Sequence, residues 1–135
     1  MADQTADREP NRQEGKIQHL AAGVAEYFRG EAVAFQATGL LGKGGDDAST
    51  EFAGIVVKHN NIVNSADRLE IYREGVFSFV YTPGDADQAD VGTLVYLEDS
   101  QSVDIAATTT NDVLVGRIVE VVSATEVRVD ITNRV

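Results

Sequence analysis

Apolar and polar side chains alternate without a break along Val127-Arg128-Val129-Asp130-Ile131-Thr132. A repeat of two is what a strand with one buried and one solvated face requires. The preceding stretch, residues 113–122, is richer in Val, Leu and Ile and has apolar residues at both parities, so it reads as a strand covered on both sides over part of its length. Ser123-Ala124-Thr125-Glu126 joins the two as a short polar hairpin connection. The chain thus closes a sheet with its last segment.

The same reading runs back through the chain. Residues 16–20 form a short first strand with Ile17, His19 and Leu20, and residues 21–28 allow one helical turn at most, since Gly23 and Gly30 interrupt it. Strands are expected at residues 31–35, 52–57, 69–73, 76–81 and 93–97, with a short one at 103–105. Residues 38–50, with four glycines and Asp46-Asp47, read as a loop, and residues 60–65 as a polar bend. Glu74-Gly75 reads as a two-residue turn that joins 69–73 and 76–81 into a second hairpin, with Thr82-Pro83-Gly84-Asp85 as a stop. Along that hairpin Phe77, Phe79 and Tyr81 share one face and Val76, Ser78 and Val80 the other. The aromatic face suits core packing, with an intersubunit contact as the other use of the same rings.

Glycine precedes an apolar strand at Gly30, Gly54, Gly75, Gly92 and Gly116, at intervals of 24, 21, 17 and 24 residues. Unequal spacing argues against a repeat protein, and about seven to nine short, mostly antiparallel strands suit a small all-β barrel or sandwich. Residues 1–15 hold Asp3, Asp7, Arg8, Glu9, Pro10, Arg12 and Glu14 with almost nothing apolar, which predicts a flexible N-terminal arm ahead of a single β domain over residues 16–135.

Composition then narrows the chemistry. At 135 residues one domain buries roughly two thirds of its unfolded surface and needs no staple. Without cysteine there is no disulfide, thiolate nucleophile or Cys-ligated zinc. The N-terminal residues predict no secretory signal, and no run of eighteen apolar residues predicts a membrane span. With 22 acidic and 11 basic residues, a net charge of -11 opposes phosphate backbones, so nucleic acid is not an expected partner.

Candidate chemical motifs fall short of their requirements. Gly39-Leu40-Leu41-Gly42-Lys43-Gly44 resembles a phosphate loop, but Ala37 replaces its first glycine and Gly44 its metal-binding hydroxyl. Asp85, Asp87 and Asp90 crowd one turn in the manner of calcium ligands, but Tyr96 stands where a bidentate Glu would be needed. His19 and His59 are forty residues apart, and no serine lies in a nucleophile elbow. No catalytic residue, cofactor or metal is expected.

The order of glycine-led elements resembles the small capsid decoration, or cement, proteins of tailed bacteriophages. The elements are Ala22-Gly23-Val24, Gly30-Glu31-Ala32-Val33, Ala53-Gly54-Ile55-Val56-Val57, Glu74-Gly75-Val76-Phe77, Val91-Gly92-Thr93-Leu94-Val95-Tyr96 and Val115-Gly116-Arg117-Ile118-Val119, ahead of a final alternating strand. The resemblance covers about residues 16 to 135. It implies a structural virion protein without enzymatic activity, assembled in the host cytoplasm onto the outer surface of the capsid. The partners it implies are the major capsid protein and further copies of the chain, as a homotrimer rather than a dimer. Candidate capsid or subunit contacts are Arg8, Glu9, Pro10 and Arg12 in the arm, Pro83, Asp85 and Asp87 in the turn, and Phe77 and Phe79 on the aromatic face. The alternatives are a tail or baseplate component and a ligand-binding or enzymatic β-barrel.

Overall fold

The computed structural model describes residues 17–106 and 108–132, and nearly all of its regular structure is strand. Among the described residues twelve strands follow in order: β1 (Ile17–Ala21), β2 (Ala25–Tyr27), β3 (Ala32–Phe35), β4 (Leu41–Lys43), β5 (Glu51–Val56) and β6 (Asn60–Ile62) come first. They are followed by β7 (Arg68–Tyr72), β8 (Val76–Tyr81), β9 (Leu94–Leu97), β10 (Ser102–Asp104), β11 (Leu114–Ser123) and β12 (Glu126–Asp130). A 3₁₀ turn at Gln88–Asp90 precedes β9. The strands form a closed barrel in the order β10-β8-β12-β11-β9, a five-stranded sheet β1-β7-β5-β3-β4, and a two-stranded ribbon β2-β6. A parallel bridge between Ala22 and Leu41 ties the β1 end of the five-stranded sheet to its β4 edge, so this sheet also curls back on itself.

The terminal hairpin forms as its pattern requires, with Ser123 paired to Glu126 across the two-residue turn. Val127, Val129 and Ile131 are fully buried while Arg128 is exposed. β12 does more than end the chain, because it pairs with β8 as well as β11 and so occupies the middle of the barrel wall. Apolar residues at both parities of β11 have a local cause. Its ladder slips opposite β9 between Leu114 and Gly116, and opposite β12 between Ile118 and Glu120 and between Val121 and Ser123. Each bulge changes which parity points inward. Val115 and Ile118 therefore both reach the core, and Val119 and Val122 stand outside.

β5 joins the two halves of the molecule. Phe52 and Ile55 pack into the barrel core with Phe79, Tyr81, Val95, Leu97 and Val127, whereas Ala53 and Val56 pack into a second core with Tyr27, Leu41, Ile62, Leu69 and Ile71. Five consecutive buried residues thus mark a strand covered on both faces. β3 shares the arrangement, with Ala32 in one core and Val33 in the other.

Four local expectations are corrected. Residues 21–28 hold strand β2 and no helical turn, because Tyr27 is buried and its hydroxyl donates to the carbonyls of Gly23 at 2.9 Å and Leu41 at 3.2 Å. The glycine-rich loop contains β4, paired with β3, and the polar bend contains β6, paired with β2. These three-residue strands also account for a strand total above the seven to nine expected from the sequence, since each is too short to display a period. The turn at Gly75 exists, with φ at 124°, but it does not make a hairpin. The chain leaves the five-stranded sheet after β7 and enters the barrel as β8, whose partners are β12 and, in parallel, β10.

Candidate functional site

The aromatic face of β8 turns inward. Phe79 and Tyr81 are 3% and 4% exposed in the barrel core, and Phe77 is half-buried with its ring 5.4 Å from that of Tyr72. The structure therefore removes Phe79 from the surface, and a contact there would require the barrel to open. Arg8, Glu9, Pro10 and Arg12 lie outside the described residues.

The Pro83–Asp90 turn is organised by its own carboxylates. Asp87 Oδ1 accepts from Ala89 N–H at 2.8 Å and Asp90 Oδ2 accepts from Asp87 N–H at 2.9 Å, a reciprocal cap on the 3₁₀ turn. Asp85 is exposed and Pro83 half-buried. Burial pushes the Tyr81 hydroxyl pKa up, and the charges of Asp90, Asp85, Asp104 and Asp87 push it further, so the phenol stays neutral beside them. Among the described residues no three His, Cys, Asp or Glu side chains come together as a metal site. Lys43 of the glycine-rich stretch lies on β4, 3.2 Å from Glu31 and 5.1 Å from the Phe28 ring. It is engaged in an ion pair and a cation–π contact there.

Two outer surfaces carry exposed apolar groups. The first is the ribbon. Its register pairs Ala25 with Ile62 and Tyr27 with Asn60, whose side chains face inward, and Glu26 with Asn61 on the outside. Continued by one residue at each end, it places Val24 opposite Val63 and Phe28 opposite His59. The Phe28 and His59 rings are stacked at 5.2 Å, and His59 Nε2 lies 2.8 Å from Glu26. Val24 and Val63, 63% and 66% exposed, are the most exposed large hydrophobic residues described. The second surface is the barrel wall, where Val76, Ser78 and Val80 of β8 stand beside Asp130, Arg128 and Glu126 of β12. An open groove of about 380 Å³ crosses it, lined by Gly30, Ser78, Phe79, Val80, Gln101, Thr125 and Glu126.

The ribbon was not legible in the sequence, because Val24 and Val63 lie thirty-nine positions apart and no local pattern links them. It also missed two carboxylates that tie loops together. Glu31 accepts from Phe28 N–H at 2.9 Å and from the Ser100 hydroxyl at 2.7 Å. Burial alone would raise its pKa, but these bonds and Lys43 outweigh it and hold the carboxyl below its ordinary value. Asp46 accepts from Thr110 N–H and Asn111 N–H, each at 2.7 Å, and these bonds likewise hold its carboxyl low.

A depressed carboxylate contributes stability that is present above its unfolded pKa and lost as pH falls through its folded one. Asp46→Asn is thus expected to cost about 1 kcal/mol at pH 7, solvent screening included, and much less at an acid pH below the folded pKa of Asp46. Urea unfolding at the two pH values checks this; an equal difference at both would refute the role of the charge.

No family model matches the chain, and no curated protein matches it either.

Proposed function

We propose that this chain is a structural virion protein of a tailed bacteriophage that seats on the outside of the head and stabilises the assembled capsid. The observation that carries the reading is where apolar side chains have been placed. Two cores are filled by Phe52, Tyr27, Leu41, Ile55, Leu97 and their neighbours, yet among the described residues eight large hydrophobic side chains remain 43% to 66% exposed. Seven of them lie on the ribbon face (Val24, Phe28, Val63) and on strands β8 and β11 of the barrel wall (Val76, Val80, Val119, Val122). Apolar surface held outside a filled core favours adhesion to another protein. The order of glycine-led strands quoted above supports the same assignment.

In this reading the partners are the major capsid protein and other copies of the chain, as a homotrimer. A protein that binds only the assembled shell favours that state by mass action and adds interface area which resists internal pressure. The Pro83–Asp90 turn, with Asp85 exposed, is a natural further contact. Electron cryo-microscopy of particles mixed with the purified protein is expected to show added density on the outer head surface. Density confined to the tail, or none at all, would overturn the assignment.

A further inference from the structure

We propose that the first half of β8 is an open docking edge that takes an extended, positively charged segment of a partner polypeptide as an added strand. Backbone hydrogen bonds along β8 alternate between its two sides. Odd-numbered residues face β12, as Tyr81 N–H donates to Thr125 O at 2.8 Å and Ile131 N–H donates to Gly75 O at 2.9 Å. Even-numbered residues face β10, as Val80 N–H donates to Gln101 O at 3.0 Å and Thr82 N–H to Val103 O at 2.9 Å. β10 reaches back only to Ser102, opposite Val80, because the chain before it turns away with Gln101 N–H held by Asp99 Oδ1 at 2.8 Å. The backbone groups of Val76 and Ser78 on this side are left without a ladder partner among the described residues.

An open strand edge is a template for a further strand, and proteins guard such edges with lysine, proline, bulges or cover. Val76-Phe77-Ser78-Phe79-Val80 has neither lysine nor proline, and its pairing with β12 runs without a register shift. The edge opens on the groove lined by Gly30, Ser78, Val80, Gln101 and Glu126. A segment laid there would take its register from the free N–H and C=O groups, with alternate side chains on the outer wall beside Val80.

Charge selects the occupant. Residues 76–132 carry ten acidic and two basic side chains. Glu126 lines the groove and Asp130 stands opposite Val76, while Arg128, opposite Ser78, is drawn to Glu120 at 3.5 Å. A lysine or arginine on the added strand is attracted by these carboxylates across the width of β8, and a phosphate backbone is repelled. The inference goes beyond the decoration reading, because it concerns this edge whatever larger body the partner belongs to.

Two measurements on the full chain test it. In hydrogen exchange the amides of Val76 and Ser78 are expected to exchange fast and those of Phe77 and Phe79 slowly; protection of Val76 and Ser78 in the free protein would show the edge already covered and overturn the proposal. For binding, the probe is a synthetic peptide of about eight residues alternating lysine and valine, followed by amide chemical shifts. It is expected to shift Val76 and Ser78, to bind at least about tenfold more tightly than its glutamate counterpart, and to fail when its backbone is N-methylated. Ser78→Pro removes the free donor without touching the β12 ladder, and Glu126→Lys reverses the charge should the proline variant not fold; either is expected to weaken binding by about tenfold. Binding that survives N-methylation, or that both variants leave unchanged, would overturn it. These measurements use no capsids, so their failure is distinct from a failure to decorate heads.

Discussion

Gly116→Ala is expected to destabilise the protein by about 3 kcal/mol or more, a large effect for one added methyl group. A Cβ at position 116 would stand 2.1 Å from the Asp130 carbonyl oxygen, 3.0 Å from its carbon and 3.2 Å from Val129 Cγ1. Two of those three atoms are backbone, so no rotamer change relieves the clash. The strand they belong to, β12, is held on its far side by β8 and cannot retreat without breaking that ladder. Gly54 is the matching case in the other sheet, 2.1 Å from the Tyr72 carbonyl oxygen. Gly92 is the contrast: its φ is 96° and nothing lies within 4 Å of an added Cβ, so Gly92→Ala carries only a backbone cost of about 1 kcal/mol. Urea denaturation of the three variants checks the ranking. A Gly116→Ala protein as stable as Gly92→Ala would show that β11 and β12 do not approach as described.

Phe79→Ala is expected to cost about 3–5 kcal/mol, the usual range for a buried aromatic ring cut back to a methyl group. Phe79 is 3% exposed and packs in the barrel core with Val95, Leu97 and Val127. Its neighbour Val80 is 48% exposed, and Val80→Ala is expected to change stability by no more than about 0.5 kcal/mol. The pair separates the two uses the sequence allowed for the aromatic face. If Phe79→Ala kept its unfolding midpoint and lost only binding, the ring would be a contact. Loss of midpoint in Phe79→Ala, with binding effects confined to Val80 and Val76, is the outcome the packing requires.

Among the candidate contacts, the sequence correctly marked the Pro83–Asp90 turn as an accessible loop, with Asp85 exposed and Asp87 committed to capping. The ribbon face was not legible. Its apolar pair comes from Val24 and Val63, and no local pattern links residues that meet only through the β2-β6 register. The five strand-leading glycines looked alike in sequence. In the fold Gly30, Gly75 and Gly92 take positive φ at turns, whereas Gly54 and Gly116 lie within strands under a neighbouring carbonyl. That distinction depends on what crosses above each glycine.

The sequence by itself determined the all-β class, the terminal hairpin and the inward face of β8. Each follows from a two-residue alternation, which every strand of sufficient length displays whatever its partner. Tertiary structure alone decided which sheet each strand enters, why β5 is buried on both sides, and that β8 pairs with β12 across forty-four intervening residues rather than with its neighbour β7. Alternation fixes only which side of a strand avoids water. The partner along its edge is chosen by backbone groups that every residue carries alike, and by cores that exist only once distant segments meet.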